Sequence, residues 1–472
     1  MQLNRFRYFY YMKQTLTFCL LPVACCLLLF SCKKDSFITS PDARLYINAD
    51  TVKFDTVFTT TGSITKQFKI INQNEQKLRF DKIKLMGGTT SAYKININGS
   101  NTTEVNNIEL AANDSMYVFV QVTINPTAVN LPFIISDSIL VQYNSNTRYV
   151  QLQAYGQNAN FLNSAVITSN TVWNNTKPYV ILGGLQINAG ASLTIPKGTK
   201  VYAHADAPIL VDGTLAVNGT KAEPVIFSGD RLDNYYKDLP ASWPGIYFRS
   251  TSKDNVLQFA QIKNAYQAVV AIGSSVNANP KVNLHQCIID NAYDAGILTV
   301  GSSLQADNSL ISNCGSNISL TYGGIYNFTH CTAATFSNLF IAHKNPVLTI
   351  NNIAEQNGSI ITADLNAVFR NCIFWGDENG FVNSEAVCTK QGSNVFNVLF
   401  DKNIYRGTDP ANSTLTNNIR NSYPMFDSID VSRKYYDFHI SSTAAPGLNK
   451  GAATGFLKDL DDKNRNFGVP DI

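Results

Sequence analysis

The stretch "DLDDKNRN" (459–466) clusters Asp459, Asp461, Asp462 and Asn464 within one short segment. Hard oxygen donors at such spacing suit Ca²⁺. The EF-hand template fails, because Lys463 stands at its fifth position and no Gly-x₅-Glu follows. The segment therefore reads either as a polar turn or as a calcium loop. A second set, His285, Asp290 and Asp294 with Lys263 upstream, has the residue types for acid–base chemistry. A structural or solvated histidine is the plainer reading of His285, and His330 and His343 show no partner in the sequence. A third set is aromatic. Tyr235, Tyr236, Tyr266 and Tyr293 are candidates for stacking on sugar rings, as are Trp243, Tyr247, Tyr322 and Tyr326. Tyr235 and Tyr236 lie in "SGDRLDNYYKDLPAS" (228–242), a polar insertion expected to protrude, and protruding loops are where binding function collects. Packing between neighbouring elements is the competing expectation for these rings, and Trp243 reads as structural.

The elements that must position these residues begin after an N-terminal address. "MKQTLTFCLLPVACCLLLFSC" (12–32) has a basic start, an apolar run and a small residue before Cys32. This is a secretory signal rather than a lasting transmembrane helix. Its end, Leu29-Phe30-Ser31-Cys32, is similar to a bacterial lipobox. That resemblance implies removal of residues 1–31, lipidation of Cys32, membrane attachment through it and an outer-membrane location, facing the periplasm or the cell surface. An ordinary signal or an uncleaved anchor is the alternative. Met12-Lys13 makes a better start than Met1, and residues 32–43 read as a tether. Five cysteines remain beyond the signal, Cys287, Cys314, Cys331, Cys372 and Cys388, without a CxxC pair. A zinc site is not expected, and buried free thiols are the plain reading, with one disulfide as the alternative. Charged residues make up 15% of the 472 and the net charge is +3, with no basic block, which argues against a nucleic-acid partner.

From 44 to 157, seven runs alternate apolar and polar residues: "VKFDTVF", "KQFKIIN", "RFDKIKL", "YKININ", "SMYVFVQVTI", "DSILVQY" and "RYVQLQAYG". Turn-rich segments separate them, which predicts an antiparallel sandwich. This module resembles the immunoglobulin-like domains of exported bacterial lipoproteins. From about 160 the rhythm changes. "GGLQINAGASLTIPKGTKVYA" and "ILVDGTLAVNGTKAEPVIFS" share a pattern of short strand, glycine turn and second strand, and imperfect repeats continue through "AVFRNCIFWGD". Strands this brief are unstable alone. Stacked in parallel, each rung satisfies the backbone of the next, and about 20–25 residues per repeat mark a solenoid. Leu185, Ile187, Leu193, Ile195, Leu210, Leu215 and Val217 are the expected inward residues. Asn264, Asn291, Asn313 and Asn371 are expected at left-handed corners.

The repeats over 160–415 resemble the right-handed parallel β-helix, or pectin-lyase-like, superfamily. The tail over 416–472, with "YYDFHISSTAAPGLNKGAATGFLKDLDDKNRNFGVPDI", is similar to the choice-of-anchor Q module, which implies a C-terminal cap. Gly447-Leu448-Asn449 and Lys463 depart from that module's pattern, which weakens any inherited ligand loop. The expected fold is all-β: an Ig-like sandwich, a right-handed parallel β-helix and a cap. The superfamily includes polysaccharide lyases and hydrolases, whose "NTD", "GHG" and "RIK" segments are absent here, while the sole "DD" is Asp461-Asp462. The expected role is non-catalytic recognition of a glycan or surface protein, with no cofactor unless Ca²⁺ binds the tail. A lyase or glycoside hydrolase with an atypical site is the alternative.

Overall fold

The computed structural model describes residues 36–59, 62–125, 133–465 and 468–472. Cys32, the expected signal and the first residues of the expected tether lie outside them. The described residues up to Gly156 form one compact unit and those from Gln157 another. The fold is all-β, and the 3₁₀ turn Gly88–Thr90 is its one helical element among the described residues.

The first unit is a sandwich of two five-stranded sheets. All seven expected runs are strands, because each places an alternating apolar set inward. In Ser115–Val122, Met116, Val118, Val120 and Val122 are buried. They share a core with Phe54, Phe68 and Phe80. Three further strands, Leu45–Ile47, Ser100–Asn101 and Glu104–Leu110, complete the sheets. Glu104–Leu110 shows no alternation in its sequence, and Leu110 is its one fully buried side chain. The tether expected over 32–43 is corrected from Ser36 onward, since that segment lies against the sandwich. Ile38 donates its N–H to Lys77 O at 2.9 Å, Asn144 Nδ2 holds the carbonyls of Ile38 and Ser40, and Ala43 joins the core. Apolar Ile38 and Ala43 find burial there that a solvated linker would forgo.

The second unit is a parallel coil of three-strand rungs in a 26-stranded sheet. One face runs through Ile209–Val211, Ile246–Phe248 and Gln267–Ile272, a second through Thr214–Asn218, Asn255–Gln258 and Val282–His285, and a third through Val225–Gly229, Ala260–Lys263 and Ile288–Asp290. Register holds from rung to rung apart from shifts at Asn163/Ala165 and Val300/Ser302, so like stacks on like. Leu257, Leu284, Ala306, Phe328, Phe369 and Phe400 form one inward column. Its phenylalanines stack with centroids 5.3 and 5.0 Å apart. Leu185, Ile187, Leu193, Ile195, Leu215 and Val217 are buried as expected, but Leu210 is not. Ile209 and Val211 take the inward positions, and a strand of period two must then turn Leu210 outward.

Two corners are built from left-handed backbone. Asn264, Asn291 and Asn313 have φ of 61°, 59° and 50° between the third face and the first. Gln286, Asn308, His330, Asn371 and Lys402 occupy the corner between the second face and the third, with φ between 46° and 56°. Asparagine tolerates this region because its short amide bonds locally. Asn264 Nδ2 donates to Lys237 O at 2.7 Å, and its Oδ1 accepts from Asn291 Nδ2 at 2.8 Å. Asn264→Ala is expected to lower unfolding free energy by about 1–3 kcal/mol, from left-handed strain plus lost hydrogen bonds, read as a denaturation midpoint shift at constant slope.

The C-terminal residues pack along the coil's side. Phe426, Phe438 and Ile472 join Phe336, Ile373, Trp375 and Ile404 in a satellite core. The tail then runs back along the second corner. Lys402 Nζ donates to Gly451 O, Asn371 exchanges two bonds with Ala452, His330 Nε2 meets Thr454 Oγ1, and Gln286 Nε2 donates to Asp459 O. The left-handed corner residues thus supply the tail's partners. The five cysteines among the described residues are all buried and free.

Candidate functional site

Two tyrosines on successive rungs form an exposed platform. Tyr266 and Tyr293 each follow a left-handed asparagine by two residues, so the same corner geometry brings both rings out in register. Tyr266 N–H donates to Trp243 O and Tyr293 N–H to Ala265 O, which fixes their backbones. Trp243 lies buried beneath, its Nε1 donating to Lys263 O at 2.8 Å. The rings are 44% and 54% exposed, with centroids 6.0 Å apart and planes inclined by 24°. Gln267 Nε2 donates to Asp294 Oδ2 at 2.6 Å, placing an amide and a carboxylate beside the rings. Burial, then Tyr266 and Asp294, raise the Tyr247 phenol.

The 230–242 insertion is tied to the same corner, since Asn291 Nδ2 donates to Asp238 O and Asn264 Nδ2 to Lys237 O. It carries the second expected pair. Tyr235 is 75% exposed and meets Tyr236 edge-on, while the Arg231 guanidinium sits 3.8 Å from the Tyr236 ring centroid. Arg231 thereby covers one face of Tyr236. Tyr326, expected as a possible surface ring, is buried instead, and its hydroxyl donates to Gly323 O. Its register with Leu304 fixes it inward. Trp243 is also interior, and Tyr322 is half-buried.

The acid–base candidates do not converge. His285 projects from the second face and pairs through Nδ1 with Asp307 Oδ1 at 2.5 Å. The Asp307 hydrogen bond raises its pKa against the opposing effect of burial. Asp290 lies on the third face, registered with Lys263 on the preceding rung and bonded to Ser312 Oγ at 2.7 Å. Burial raises its pKa. Asp294 sits at the other corner beside Tyr293. The structure therefore joins Lys263 to Asp290 but leaves His285 and Asp294 apart from them.

The tail donors are engaged within the protein. Residues 458–464 form a hairpin turn, with Lys458 bridging Asn464 and Asp459 Oδ1 accepting the N–H groups of Asp461 and Lys463. Asp461 pairs with Lys221 and with His439 Nε2, and Asp462 pairs with Lys458. Burial acts to raise the Asp461 carboxyl, but Lys221 and His439 hold it down at about 2. Among the described residues no group of three or more His, Cys, Asp or Glu side chains stands where it can hold a metal ion.

Two features escaped the sequence. The loop over Ser274–Pro280 overhangs the second face and forms a groove of about 410 Å³ with Ser303, Gln305, Ile325 and Asn327. The Asp254 carboxylate holds it by accepting from Asn277 and Asn279. Its only sequence signal was polarity. His343 is buried between Asp377 and Glu385, at 2.7 and 3.1 Å, with Arg406 on the far side of Glu385. Separations of 34 and 42 residues concealed that network.

Residues 165–278 match the family described as a pectate-lyase like beta helix domain. No curated protein matches the chain. Among solved structures, a family 123 glycoside hydrolase from Clostridium perfringens, described for glycolipid glycan hydrolysis, is similar at 9% identity and a TM-score of 0.19. It covers 25% of this chain, which spans 30% of that one. A PapD-like domain of human CEP192 is similar at 9% identity and a TM-score of 0.17 over 27% of this chain and 92% of its own.

Proposed function

We propose that this chain is a lipid-anchored protein of the bacterial cell envelope that recognises glycan, without cleaving it, through the side of its β-helix. The anchor is Cys32, the membrane is the outer one, the sandwich is Ig-like and the tail is choice-of-anchor Q-like. The Tyr266–Tyr293 platform carries the reading. A pyranose presents an apolar C–H face that packs on a flat ring, and two rings held by rigid rungs lose little entropy on binding. Gln267 and Asp294 are placed to meet the hydroxyls at the edge. The scatter of acidic groups supports a binding rather than a cleaving role.

The test is a glycan array probed with the purified protein, followed by titration of the best ligand. Tyr266→Ala and Tyr293→Ala are each expected to weaken binding about tenfold, the loss of one stacking contact and its buried area. A bound glycan indifferent to both substitutions would remove the platform from the reading. The enzymatic alternative draws on one observation, the His285–Asp307 pair on a coil whose residues 165–278 match a pectate-lyase like domain. Release of reducing or unsaturated ends from a polysaccharide panel, abolished by His285→Ala, would establish it instead.

A further inference from the structure

We infer that the β-sandwich carries a separate site for an anionic, uronate-bearing oligosaccharide, on the outward face of the sheet containing Ser115–Val122. Alternation along that strand buries its valines and turns Tyr117, Phe119 and Gln121 outward. Tyr117 and Phe119 are each 36% exposed, and their rings stack at 5.9 Å with planes inclined by only 17°. The near-parallel rings brace each other on one strand, Lys69 covers part of Tyr117, and Phe119 is the ring that faces the adjoining groove. Polar groups surround the rings in register. Gln67 and Asn96 flank Phe119 across the sheet, Lys69 lies opposite Tyr117, and Lys94 lies opposite Gln121.

The charge on this face has one sign. Lys69 Nζ sits 4.7 Å from the Tyr117 ring centroid, and neither Lys69 nor Lys94 is paired with a carboxylate among the described residues. The nearby Glu104 is engaged by Lys82 and Lys84. Beside Phe119 opens a groove of about 820 Å³ lined by Lys94, Asn96, Asn101 and Gln121, a size typical of small-ligand sites. An aromatic ring suits the C–H face of a sugar, side-chain amides suit hydroxyls, and ammonium groups without a carboxylate partner suit carboxylates. A neutral sugar would leave the lysines idle, and an apolar peptide would leave both lysines and amides unmatched. This site lies within the first unit and does not depend on the β-helix reading.

The test is calorimetric titration of the purified protein with three uronate oligomers, from hyaluronan, alginate and polygalacturonate. Carboxyl-reduced hyaluronan is the neutral control. At least one uronate oligomer is expected to bind, with affinity falling as salt rises. Phe119→Ala is expected to weaken it about tenfold or more, and Lys94→Met about threefold with a shallower salt dependence. Both side chains are surface groups, and an unchanged unfolding transition confirms that the variants fold. Tyr266→Ala is expected to leave this affinity unchanged, which separates the site from the rod's platform. Three results would each overturn the inference: no uronate oligomer binds, the carboxyl-reduced control binds equally well, or a bound oligomer ignores both substitutions. Binding of a protein alone would also count against it.

Discussion

Glu385→Ala is expected to cost the protein about 3–5 kcal/mol of unfolding free energy, the penalty for stripping one partner from a buried charge network. Glu385 is fully buried, and its two oxygens are divided between neighbours. Oε1 accepts from Arg406 Nε at 3.1 Å, and Oε2 faces His343 Nε2 at 3.1 Å and accepts Val347 N–H at 3.4 Å. Asp377 Oδ1 faces the other imidazole nitrogen at 2.7 Å. Both ring nitrogens therefore donate only if the imidazole is charged. Burial pushes the His343 pKa down, but Glu385 and then Asp377 outweigh it, and the pKa lies above 6.5. The sign of the pH dependence follows. A histidine whose pKa is raised by folding contributes stability that is fully present below pH 6.5, its unfolded value, and is lost as pH climbs through the folded one. Denaturant midpoints at about pH 6 and about pH 9 should show the wild type losing stability, and His343→Gln losing less over the same interval. Equal slopes in the two proteins would mean that His343 is neutral throughout.

How much of this was legible in the sequence depends on whether a residue's role is set locally. The asparagine corners were, because a left-handed position next to a short strand is a demand of one residue's own φ, and Asn264, Asn291, Asn313 and Asn371 all meet it. The seven sandwich runs were, because alternation is read within each strand. Leu210 was not: it sits in "ILV", where three apolar residues in succession give no phase, and register with Gln186 and Tyr247 decided the face. Among the tyrosines, Tyr266 and Tyr293 were legible as candidates but not as a pair, since their stacking requires the 27-residue rung between them. Tyr326 and Tyr266 looked alike in sequence, and only the rungs above and below separate the buried one from the exposed one. Tyr117 and Phe119 lay inside a run read correctly as a strand, yet their outward phase on an exposed sheet face passed without notice. His343 is the extreme case, with Asp377 and Glu385 brought from one connection on the next turn of the coil and Arg406 from the turn after it.

The rungs also explain why an ammonium group can stand in the interior. Lys281 is fully buried, and its Nζ donates to the carbonyls of Ile272, Arg249 and Ser250 at 2.7, 2.9 and 3.1 Å. Those carbonyls lie on two successive turns where the first face ends: Arg249 and Ser250 follow Ile246–Phe248, and Ile272 closes Gln267–Ile272. One cation with three donors gathers them. Burial lowers the Lys281 pKa to about 8, so the ammonium is still largely charged at neutral pH and its three donors remain available. Lys281→Met keeps most of the apolar stem and removes the donors, leaving buried acceptors at a cost of about 1–3 kcal/mol for each that finds no water. A total loss of about 3 kcal/mol or more is expected, seen as a lower denaturation midpoint with an unchanged slope. Because Lys281 directly follows the 274–280 loop, the same substitution should also speed amide exchange across Ser274–Asn279 while Leu257, Leu284 and Phe328 keep their protection. A shift in midpoint without that local opening would mean that the lysine braces the core alone; with it, the charge is what holds the groove's wall against the rod.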